Sequence, residues 1–265
     1  MRESETGQVT RSAAEVYEEF FVPALFEQWA DRMVDAAAIE SGHRVLDVAC
    51  GTGFLALAAA NRAGPGGVVG LDVNAGMLAV ARRKAPGIDW RQGRAEALPF
   101  DDESFDRVVS QFGLMFFEDR AAAIREMLRV VRRGGRVAMA VWVSLEATPG
   151  YAAVAGLLER LFGEQVADAL RAPFCLGNRE SLSRLLAEAG IDGAQIATRE
   201  GTARFASIQS WMFTDVKGWT LADQIDDRQF ELLLKEAAEV LQPFAKSDGS
   251  VAFDMPAHIV AVTKH

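Results

Sequence analysis

"VLDVACGTGF" (residues 45–54) changes within a few positions from an apolar, β-branched run to small residues with two glycines. The run predicts a short buried strand, and the glycines predict a tight turn that opens a helix. Gly51 and Gly53 let the backbone approach a ligand closely, whereas Asp47 places a carboxylate near the end of the strand. Because a carboxylate repels phosphate, we expect this turn to hold a ligand with a positively charged group.

The alternation of short apolar runs with helical periods continues to about residue 145. Strands are predicted at 44–50, 66–73, 88–93, 105–113 and 136–142, and helices at 51–64, 74–87 and 119–135. Strands that alternate with helices predict a parallel sheet with right-handed crossovers, and so a doubly wound α/β fold. Such a sheet binds ligands at the carboxyl ends of its strands.

The composition limits the class of partner. A net charge of −9 over 265 residues disfavours nucleic acid as a partner. Cys50 and Cys175 are too few for a disulfide framework or a zinc site, so we expect no metal and a reducing, cytoplasmic location. Residues 1–20 lack the apolar core of a signal peptide, and no run is long enough for a membrane span.

Asp72 strengthens the case for a nucleoside ligand. It ends the second predicted strand about 20 residues after the turn, where a carboxylate can accept both hydroxyls of a ribose. Gly51, Gly53 and Ala56 match a dinucleotide fingerprint, although plain strand–turn–helix packing is the alternative. Asp47 favours a ligand with an ammonium and a sulfonium over a pyrophosphate. S-adenosylmethionine carries both charges, an adenosine and no phosphate.

The sequence resembles the class I S-adenosylmethionine-dependent methyltransferases, specifically the type-11 group related to the ubiquinone and menaquinone C-methyltransferases. The matching motifs are "VLDVACGTGF", "VVGLDVNAGMLAVAR", "GRAEALPFDDESFDRVVSQFGLMFF" and "MLRVVRRGGRVAMAVW", in order through residues 44–142. A looser match follows at "PFCLGNRESLSRLLAEAGI" and in the final strand. The resemblance implies a Rossmann-like, seven-stranded, mostly parallel sheet with an antiparallel last strand and a helical cap. It also implies S-adenosylmethionine as cofactor and S-adenosylhomocysteine as product.

The resemblance assigns roles along the cofactor. One group would hold its methionine part, a second its ribose and adenine, and a third would face the methyl group and the acceptor. In chain order these residues are Asp47, Ala49, Cys50, Gly51, Gly53, Asp72, Val73, Met77, Ala95, Glu96, Gln111 and Phe112. Ala49 replaces a glycine of many members. Arg94 stands where the family often has an aspartate that accepts the adenine amino group, and arginine has no acceptor; the backbone or Glu96 would make that contact, or it is missing.

Helical segments flank the predicted sheet. Residues 11–38 are predicted to be helical with a break at Pro23, and 194–207 alternates like an exposed edge strand before a last strand at 250–265. No linker separates a second unit. We expect one methyltransferase domain over 1–265, made of a cap at 1–40, a cofactor-binding half at 41–145 and a substrate-side half at 146–265 with helical insertions at about 146–175 and 207–245.

Methyl transfer from a sulfonium is an in-line displacement that depends mostly on alignment, so it requires no base unless the acceptor must lose a proton. Tyr17 and His258 are the weak catalytic candidates. A packed histidine is the favoured interpretation of His258, and Tyr17 fits the pocket or the core equally well. Cys50 is interpreted as a small residue that donates its backbone N–H to the ligand, and not as a nucleophile.

The acceptor pocket is expected to be apolar and to suit a small, hydrophobic or aromatic molecule. Ordinary core packing is the alternative for every aromatic residue proposed as a wall. The candidate walls are Phe21, Trp29, Met115, Phe116 and Trp211, with Phe20, Phe26, Met212, Phe213 and Trp219 beside them. Two other functions stay open: an NAD-dependent oxidoreductase, and a catalytically silent regulatory protein that keeps the cofactor pocket.

Overall fold

The computed structural model of the protein describes residues 11–64, 66–217, 221 and 224–265. Through this part runs a seven-stranded sheet of order β3–β2–β1–β4–β5–β9–β6, beside a two-stranded sheet of β7 and β8. The strands are β1 (Val45–Val48), β2 (Val68–Asp72), β3 (Asp89–Gln92), β4 (Phe105–Gln111), β5 (Val131–Trp142), β6 (Gln195–Arg199), β7 (Thr202–Phe205), β8 (Val251–Asp254) and β9 (Ala257–Thr263).

Only one strand of the large sheet runs against the others. Strands β1 to β5 pair in parallel, and β9 is antiparallel to both of its neighbours, β5 and β6. This confirms the predicted mostly parallel sheet with an antiparallel last strand. The order turns back at β1, because β2 lies on one side of it and β4 on the other. A ligand of such a sheet binds at this switch point, beyond the carboxyl ends of β1 and β4.

Helices cover both faces of the sheet and one of its edges. They are α1 (Arg11–Val16), α2 (Ala30–Ala36), α3 (Phe54–Ala63), α4 (Ala75–Lys84), α5 (Arg120–Val130), α6 (Pro149–Phe162), α7 (Glu164–Arg171), α8 (Arg179–Glu188), α9 (Ile208–Lys217) and α10 (Asp227–Val240). Right-handed crossovers place α3 and α4 on one face and α5 on the other. Among the described residues, no helix is both long and apolar enough to cross a bilayer.

The N-terminal helical segment does not break at Pro23 as predicted. Tyr17–Phe26 form a π-helix that contains Pro23, and the N–H of Glu27 donates to the carbonyl of Val22 five residues back. A 3₁₀ turn (Glu27–Trp29) then leads into α2. The proline therefore lies within a wider helix, whose form a 3.6-residue period does not reveal.

The predicted edge strand at 194–207 is two strands that belong to different sheets. Strand β6 joins the large sheet, and β7 pairs with β8 after a break at Glu200 and Gly201. A Cβ atom on Gly201 would lie 2.3 Å from the ring of Trp29, so the chain crosses the core closely here. The predicted last strand is likewise divided, into β8 and β9, at Met255 and Pro256. Both strands of each pair alternate with a period of two, so the period does not show the change of sheet.

The predicted helix at 119–135 is also too long. It ends at Val130, and β5 already begins at Val131, so Gly134 and Gly135 lie inside the strand. The register of β4 and β5 shifts between Phe105 and Arg107, and Gly134 has a φ of +74°. The two glycines therefore lie where the sheet is irregular, and they do not end the helix.

Candidate active site

The turn after β1 is tied to the end of β2 by Asp72. Its Oδ2 accepts the N–H of Gly51 at 2.8 Å, and its Oδ1 accepts the N–H of Asn74 at 2.8 Å. Burial raises the pKa of Asp72, and the N–H groups of Asn74 and Gly51 offset that rise in part. The carboxylate thus fixes the turn, and its remaining lone pairs can still accept hydroxyl groups.

Trp90 explains two of the glycines around this turn. A Cβ atom on either Gly53 or Gly70 would lie 2.3 Å from the Trp90 ring. The indole is held in place because its Nε1–H donates to the carbonyl of Ala85 at 2.9 Å. Gly53 also has a φ of +83°, which L side chains rarely adopt. Glycine at both positions therefore leaves room for the Trp90 ring of β3 to pack directly against the turn.

Two residues with side chains hold left-handed backbone conformations where β1 and β4 end. Ala49 has a φ of +58° and Phe112 a φ of +56°. The two strand ends approach closely, since a Cβ atom on Gly113 would lie 2.7 Å from the Cβ of Ala49. Such backbone strain costs about 1–3 kcal/mol for each residue and clusters at functional sites. The observed conformation is the one that a glycine at position 49 adopts without strain.

Buried oxygens with few donors lie on the same face of these two strands. Asp47 is 1% exposed, and the backbone N–H of Ala56 is the one donor that reaches its carboxylate among the described residues. The Oε1 of Gln111 lacks a donor there, while its Nε2 reaches the carbonyl of Phe26 at 3.4 Å. Asp47 pairs with Val109, so Gln111, two residues further along β4, projects to the same side.

The charge state of Asp47 is strongly perturbed. Burial raises its pKa well above the usual carboxyl range, and the charge of Asp72 raises it further. The backbone N–H of Ala56 offsets this only in part. Asp47 and Gln111 can therefore both accept further hydrogen bonds, and a ligand's ammonium would bring donors and a compensating charge together.

The N–H groups of the turn are already engaged within the chain. Cys50 donates its N–H to Leu71 at 3.0 Å, Gly51 donates to Asp72, and Gly53 donates to Cys50 at 2.9 Å. The prediction that Cys50 donates its N–H to a ligand is therefore wrong. Burial also raises the pKa of the Cys50 thiol well above its usual value, which fits a packed, unreactive side chain. The turn presents acceptors where a phosphate needs donors.

The residues expected beside adenine lie around the end of β2. Val73 is half-exposed next to Asp72, and Met77 is buried against Ala14 and Tyr17. Ala95 is buried in the loop after β3. These positions follow the ends of β2 and β3, near the ribose-binding candidate Asp72.

Arg94, the departure from the family pattern, belongs to a surface ion pair. It reaches Glu118 at 2.6 Å and Glu96 at 3.5 Å. Glu96 also accepts the backbone N–H of Glu118 at 3.0 Å. The guanidinium is thus neutralised by two acids and takes the place of a base-binding aspartate without leaving an unpaired charge.

A cavity opens between the carboxyl ends of β4 and β5, the π-helix Tyr17–Phe26, and the helices α6, α7 and α9 (the cap helices). It includes about 590 Å³ of empty space, part of which is open solvent. Aromatic rings form its wall next to the strands, with Phe112 and Trp142 stacked at 3.6 Å between ring centres. The lining includes Tyr17, Phe21, Leu25, Phe26, Phe112, Phe116, Trp142, Tyr151, Phe174, Asp215 and Met255.

The structure brings some of the expected pocket residues together and separates others. Phe21 and Phe116 line the cavity, but Trp29, Met115 and Trp211 do not. Trp29 packs edge-on against Phe112 behind the wall and is fully buried. Trp211 projects from α9 into the core, where it stacks on Phe205. Trp29 and Trp211 are therefore core residues, as the alternative interpretation of their sequence pattern had it. Large aromatic side chains are often buried in this way.

The remaining candidates lie around the cap. Phe20 meets the half-exposed Phe213 edge-to-face at 5.7 Å, and Met212 is buried in the core. Trp219 lies outside the described residues. Of the described residues among them, Phe20, Met212 and Phe213 do not line the cavity.

Of the two catalytic candidates, only Tyr17 lies at the cavity. His258 uses both ring nitrogens within the core, with Thr198 Oγ1 at 2.9 Å and the carbonyl of Gly177 at 3.1 Å, and burial lowers its pKa. The geometry therefore supports the packed histidine. Tyr17 stacks on Phe26 at 5.3 Å and reaches the turn beside Gly51. Burial, Asp72, Glu18 and Asp47 all raise the pKa of Tyr17, so its hydroxyl stays neutral.

Sequence reasoning missed a buried pair, Tyr151 and Asp215. Both line the cavity, and Tyr151 Oη donates to Asp215 Oδ1 at 3.2 Å. The available signal was a lone acid in the apolar run "WMFTDV" of α9. Asp215 follows Trp211 by four residues, so both project from the same buried face of the helix.

Strand order, the glycine turn at the switch point and the acid that ends β2 form the Rossmann-like arrangement that the resemblance to the class I S-adenosylmethionine-dependent methyltransferases implies. A solved structure of the YcgJ protein from Bacillus subtilis matches with a TM-score of 0.60 and 21% identity, over 90% of this chain and 98% of that one. A Haemonchus contortus phosphoethanolamine N-methyltransferase, solved with S-adenosylhomocysteine, matches with a TM-score of 0.62 and 19% identity, over 96% of this chain and 57% of that one.

A family model described as a methyltransferase domain matches residues 46–139. The ubiquinone/menaquinone biosynthesis C-methyltransferase UbiE of Xanthomonas oryzae is 41% identical over 140 residues, which are 49% of this chain and 55% of that protein. The chain thus spans about half the length of this curated relative. The similarity to methyltransferases is therefore strongest over residues 46–139, the part of the chain that contains the glycine turn.

Proposed function

We propose that the protein transfers the methyl group of S-adenosylmethionine to a small, largely apolar acceptor bound in the cavity. The observation that carries this proposal is the buried pair of Asp47 and Gln111 beside the glycine turn, where Asp47 has only the backbone N–H of Ala56 as a donor and the Oε1 of Gln111 has none among the described residues. The α-ammonium of the cofactor would supply the further donors that both side chains can accept. When bound, S-adenosylmethionine supplies an activated methyl group on a sulfonium, and its leaving group is neutral.

The chain's own residues would hold the cofactor by its three parts. Asp47 and Gln111 would bind the ammonium, and Asp72 would accept the ribose hydroxyls through lone pairs that the N–H groups of Gly51 and Asn74 leave free. Val73 and Met77 on one side, with Ala95 and Glu96 on the other, would border the adenine. The aromatic wall would then align the acceptor and exclude water, and such positioning can supply several kcal/mol to a displacement.

The acceptor is inferred from the cavity and not from the curated relative. The UbiE name refers to C-methylation in ubiquinone and menaquinone biosynthesis, but that match covers 49% of this chain. The residues that line the cavity are mostly aromatic or aliphatic, with the cap helices α6, α7 and α9 closing one side. A small hydrophobic or aromatic molecule fits this lining better than a protein or a nucleic acid.

Two other functions make different predictions. An oxidoreductase would bind NAD at the turn, where Asp47 and the engaged N–H groups disfavour a pyrophosphate. A silent regulatory protein would bind the methyltransferase cofactor but form no product. Binding separates the first of these from the proposed function, and product formation separates the second.

Calorimetric titration with S-adenosylmethionine, S-adenosylhomocysteine and NAD tests the proposal. We expect micromolar binding of the first two and none of NAD. Gln111→Leu should weaken the binding of S-adenosylhomocysteine by about tenfold, since it removes a buried acceptor of a charge-assisted hydrogen bond. Gln195→Leu, a matched change on the exposed edge of β6, should leave the affinity unchanged.

Product formation is the second half of the test. The protein is incubated with methyl-labelled cofactor and a panel of quinols, phenols and polyketides, and label is followed into the acceptor. Transfer to at least one apolar acceptor is expected. Tight cofactor binding without transfer to any extract or panel member would support the regulatory alternative instead.

A further inference from the structure

The cavity is lined by aromatic rings and by one acid. More than half of its described lining residues are aromatic, Asp215 is the acid, and no lysine, arginine or histidine is among them. Asp215 is only 3% exposed, so water does little to compensate a charge on it. A buried carboxylate in apolar surroundings is stable only when a cation pairs with it. The described lining supplies no such cation, so the countercharge has to come with a ligand.

The donors around Asp215 are those that hold a carboxylate. Tyr151 Oη donates to its Oδ1 at 3.2 Å, and the indole N–H of Trp211 is a second hydrogen-bond partner of the carboxyl. An indole N–H can only donate, so it pairs with an oxygen that accepts. Both bonds favour the ionised form and oppose the rise in pKa that burial causes. Two neutral donors occupy the oxygens but bring no positive charge, so the charge itself stays uncompensated.

Asp215 lies in the part of the lining that the cap helices supply. It belongs to α9, and its partner Tyr151 belongs to α6. Tyr17, also in the lining, lies beside the cofactor turn, where the charges of Asp47 and Asp72 raise its pKa. The cavity therefore has one end at the turn and another at Asp215, and a bound molecule can contact both.

We propose that Asp215 anchors a positively charged nitrogen of the acceptor, and that this nitrogen is a different atom from the one that receives the methyl group. The proposal rests on the proposed function only where it calls the bound molecule the methyl acceptor. The rest of the acceptor is apolar and lies along the aromatic wall, where Phe112 and Trp142 stack at 3.6 Å. Because the carboxyl already has donors, the anchor requires a positive charge more than hydrogen bonds, and a quaternary nitrogen serves as well as an ammonium.

The rings beside Asp215 add to the selection of a cation. Tyr151 and Phe174 both line the cavity, with their ring centres 5.6 Å apart. The face of an aromatic ring attracts a cation placed over it, and sites for quaternary ammonium ligands are built from such rings. A neutral hydroxyl gains little from the charge of Asp215, and an anionic ligand is repelled by it. The lining therefore selects cations over alcohols, and alcohols over acids.

The protonation of Asp215 makes this selection depend on pH. Burial raises the pKa of Asp215 to about 7, and only the ionised form attracts a cation. The affinity for a permanent cation should therefore rise by about tenfold from pH 6 to pH 8, since the apparent dissociation constant varies inversely with the ionised fraction. Among the described residues, Tyr151 is the other titratable group that acts on this pKa. Burial and the charge of Asp215 raise the pKa of Tyr151, so its hydroxyl stays neutral over this range.

The test compares benzylamine, which is a cation at pH 8, with benzyl alcohol and benzoate. Their dissociation constants are measured by calorimetry for the full chain, with and without S-adenosylhomocysteine. We expect benzylamine to bind at least tenfold more tightly than benzyl alcohol, and benzoate to bind most weakly. Asp215→Asn should reduce the preference for benzylamine to less than threefold and leave the affinity for benzyl alcohol unchanged. Met255→Leu, a matched change of similar volume in the lining, should keep the preference.

Measurements on the wild-type protein keep the proposal falsifiable if Asp215→Asn fails to fold. Benzyltrimethylammonium has no group that titrates, so the pH dependence of its binding reports the protein alone. Equal affinity for it at pH 6 and pH 8, or equal binding of benzylamine and benzyl alcohol, would overturn the proposal. A preference for benzylamine that survives in Asp215→Asn would do the same. So would displacement of the cation by S-adenosylhomocysteine, because Asp215 would then belong to the cofactor site.

The same measurements separate this proposal from the proposed function. A preference for benzylamine with no binding of S-adenosylhomocysteine would sustain the Asp215 anchor and contradict methyl transfer. Binding of S-adenosylhomocysteine with no preference for the cation would do the reverse.

Discussion

Asp47→Asn should change stability and cofactor affinity in opposite directions. In the free protein, Asp47 is a buried carboxylate whose one donor among the described residues is the backbone N–H of Ala56, and a buried polar group that is not fully paired costs about 1–3 kcal/mol. Asparagine has nearly the same volume and carries no charge. We therefore expect the variant to gain about 1–2 kcal/mol at pH 8, which raises Tm by roughly 2–8 °C for a chain of this size.

The gain should depend on pH in a defined direction. Burial raises the pKa of Asp47 in the folded state, so the unfolded chain releases this proton first as the pH rises above about 4. The folded state then binds more protons, and stability is lost until the pH passes the raised pKa. Asparagine does not titrate. Its advantage over Asp47 should therefore be small near pH 4 and larger at pH 8.

Cofactor binding should respond the other way. Loss of the carboxylate removes the charged partner of the ammonium, and such a hydrogen bond contributes about 1.5–3 kcal/mol, equivalent to a weakening of roughly 10- to 150-fold. The assays are thermal unfolding without cofactor at pH 5 and pH 8, and calorimetric titration with S-adenosylhomocysteine.

Asp106→Asn is the matched control. Burial alone would raise the pKa of Asp106, but the N–H of Arg44, at 2.6 Å, and the guanidinium of Arg132 lower it overall. This carboxylate near the start of β4 is a stabilising one, so its loss should lower Tm and leave cofactor affinity unchanged. A destabilised Asp47→Asn, or one that binds S-adenosylhomocysteine as tightly as the wild type, would refute the assignment of Asp47 to the ammonium.

Three further changes test the surrounding structure. Ala49→Gly relieves a left-handed φ of +58° and should raise the free energy of unfolding in urea by about 0.5–1 kcal/mol; a loss of stability would show that the Cβ packing of Ala49 outweighs the strain. In the native protein, one thiol should react with Ellman's reagent, because Cys175 is exposed and Cys50 is buried with a raised pKa; a reaction that persists in Cys175→Ser would contradict this. Burial lowers the pKa of His258, so the unfolded chain takes up this proton first and stability falls as the pH drops below about 6.5; His258→Gln should have a shallower slope in that window, and an unchanged slope would exclude this histidine as its source.

The cofactor half of the molecule is predictable because its signals are local. The strand, the two glycines and the acids Asp47 and Asp72 all lie within 30 residues of one another, and they fix both the switch point and the charge of the ligand. Even there, the engagement of the N–H of Cys50 with Leu71 was not foreseen, since it depends on how closely β2 lies against the turn.

The acceptor half was harder to predict because its contacts are distant in sequence. Tyr151 and Asp215 are 64 residues apart and meet only after the cap has packed. Apolar periodicity also does not distinguish a residue that lines the cavity from one that is buried in the core behind it. Phe116 and Trp211 each lie in a short apolar run, yet Phe116 lines the cavity and Trp211 is fully buried against Phe205.

The π-helix at Tyr17–Phe26 has a consequence for the shape of the cavity. Tyr17 and Phe26 lie nine positions apart, yet their rings stack at 5.3 Å. At 3.6 residues per turn, nine residues advance about two and a half turns, so an α-helix would point the two rings in opposite directions. The wider turn, with bonds spanning five residues, brings them back into phase. Insertion or deletion of a single residue here would rotate one ring out of the wall. A change in the length of this helix can therefore alter which acceptor the cavity binds while the cofactor turn stays unaltered.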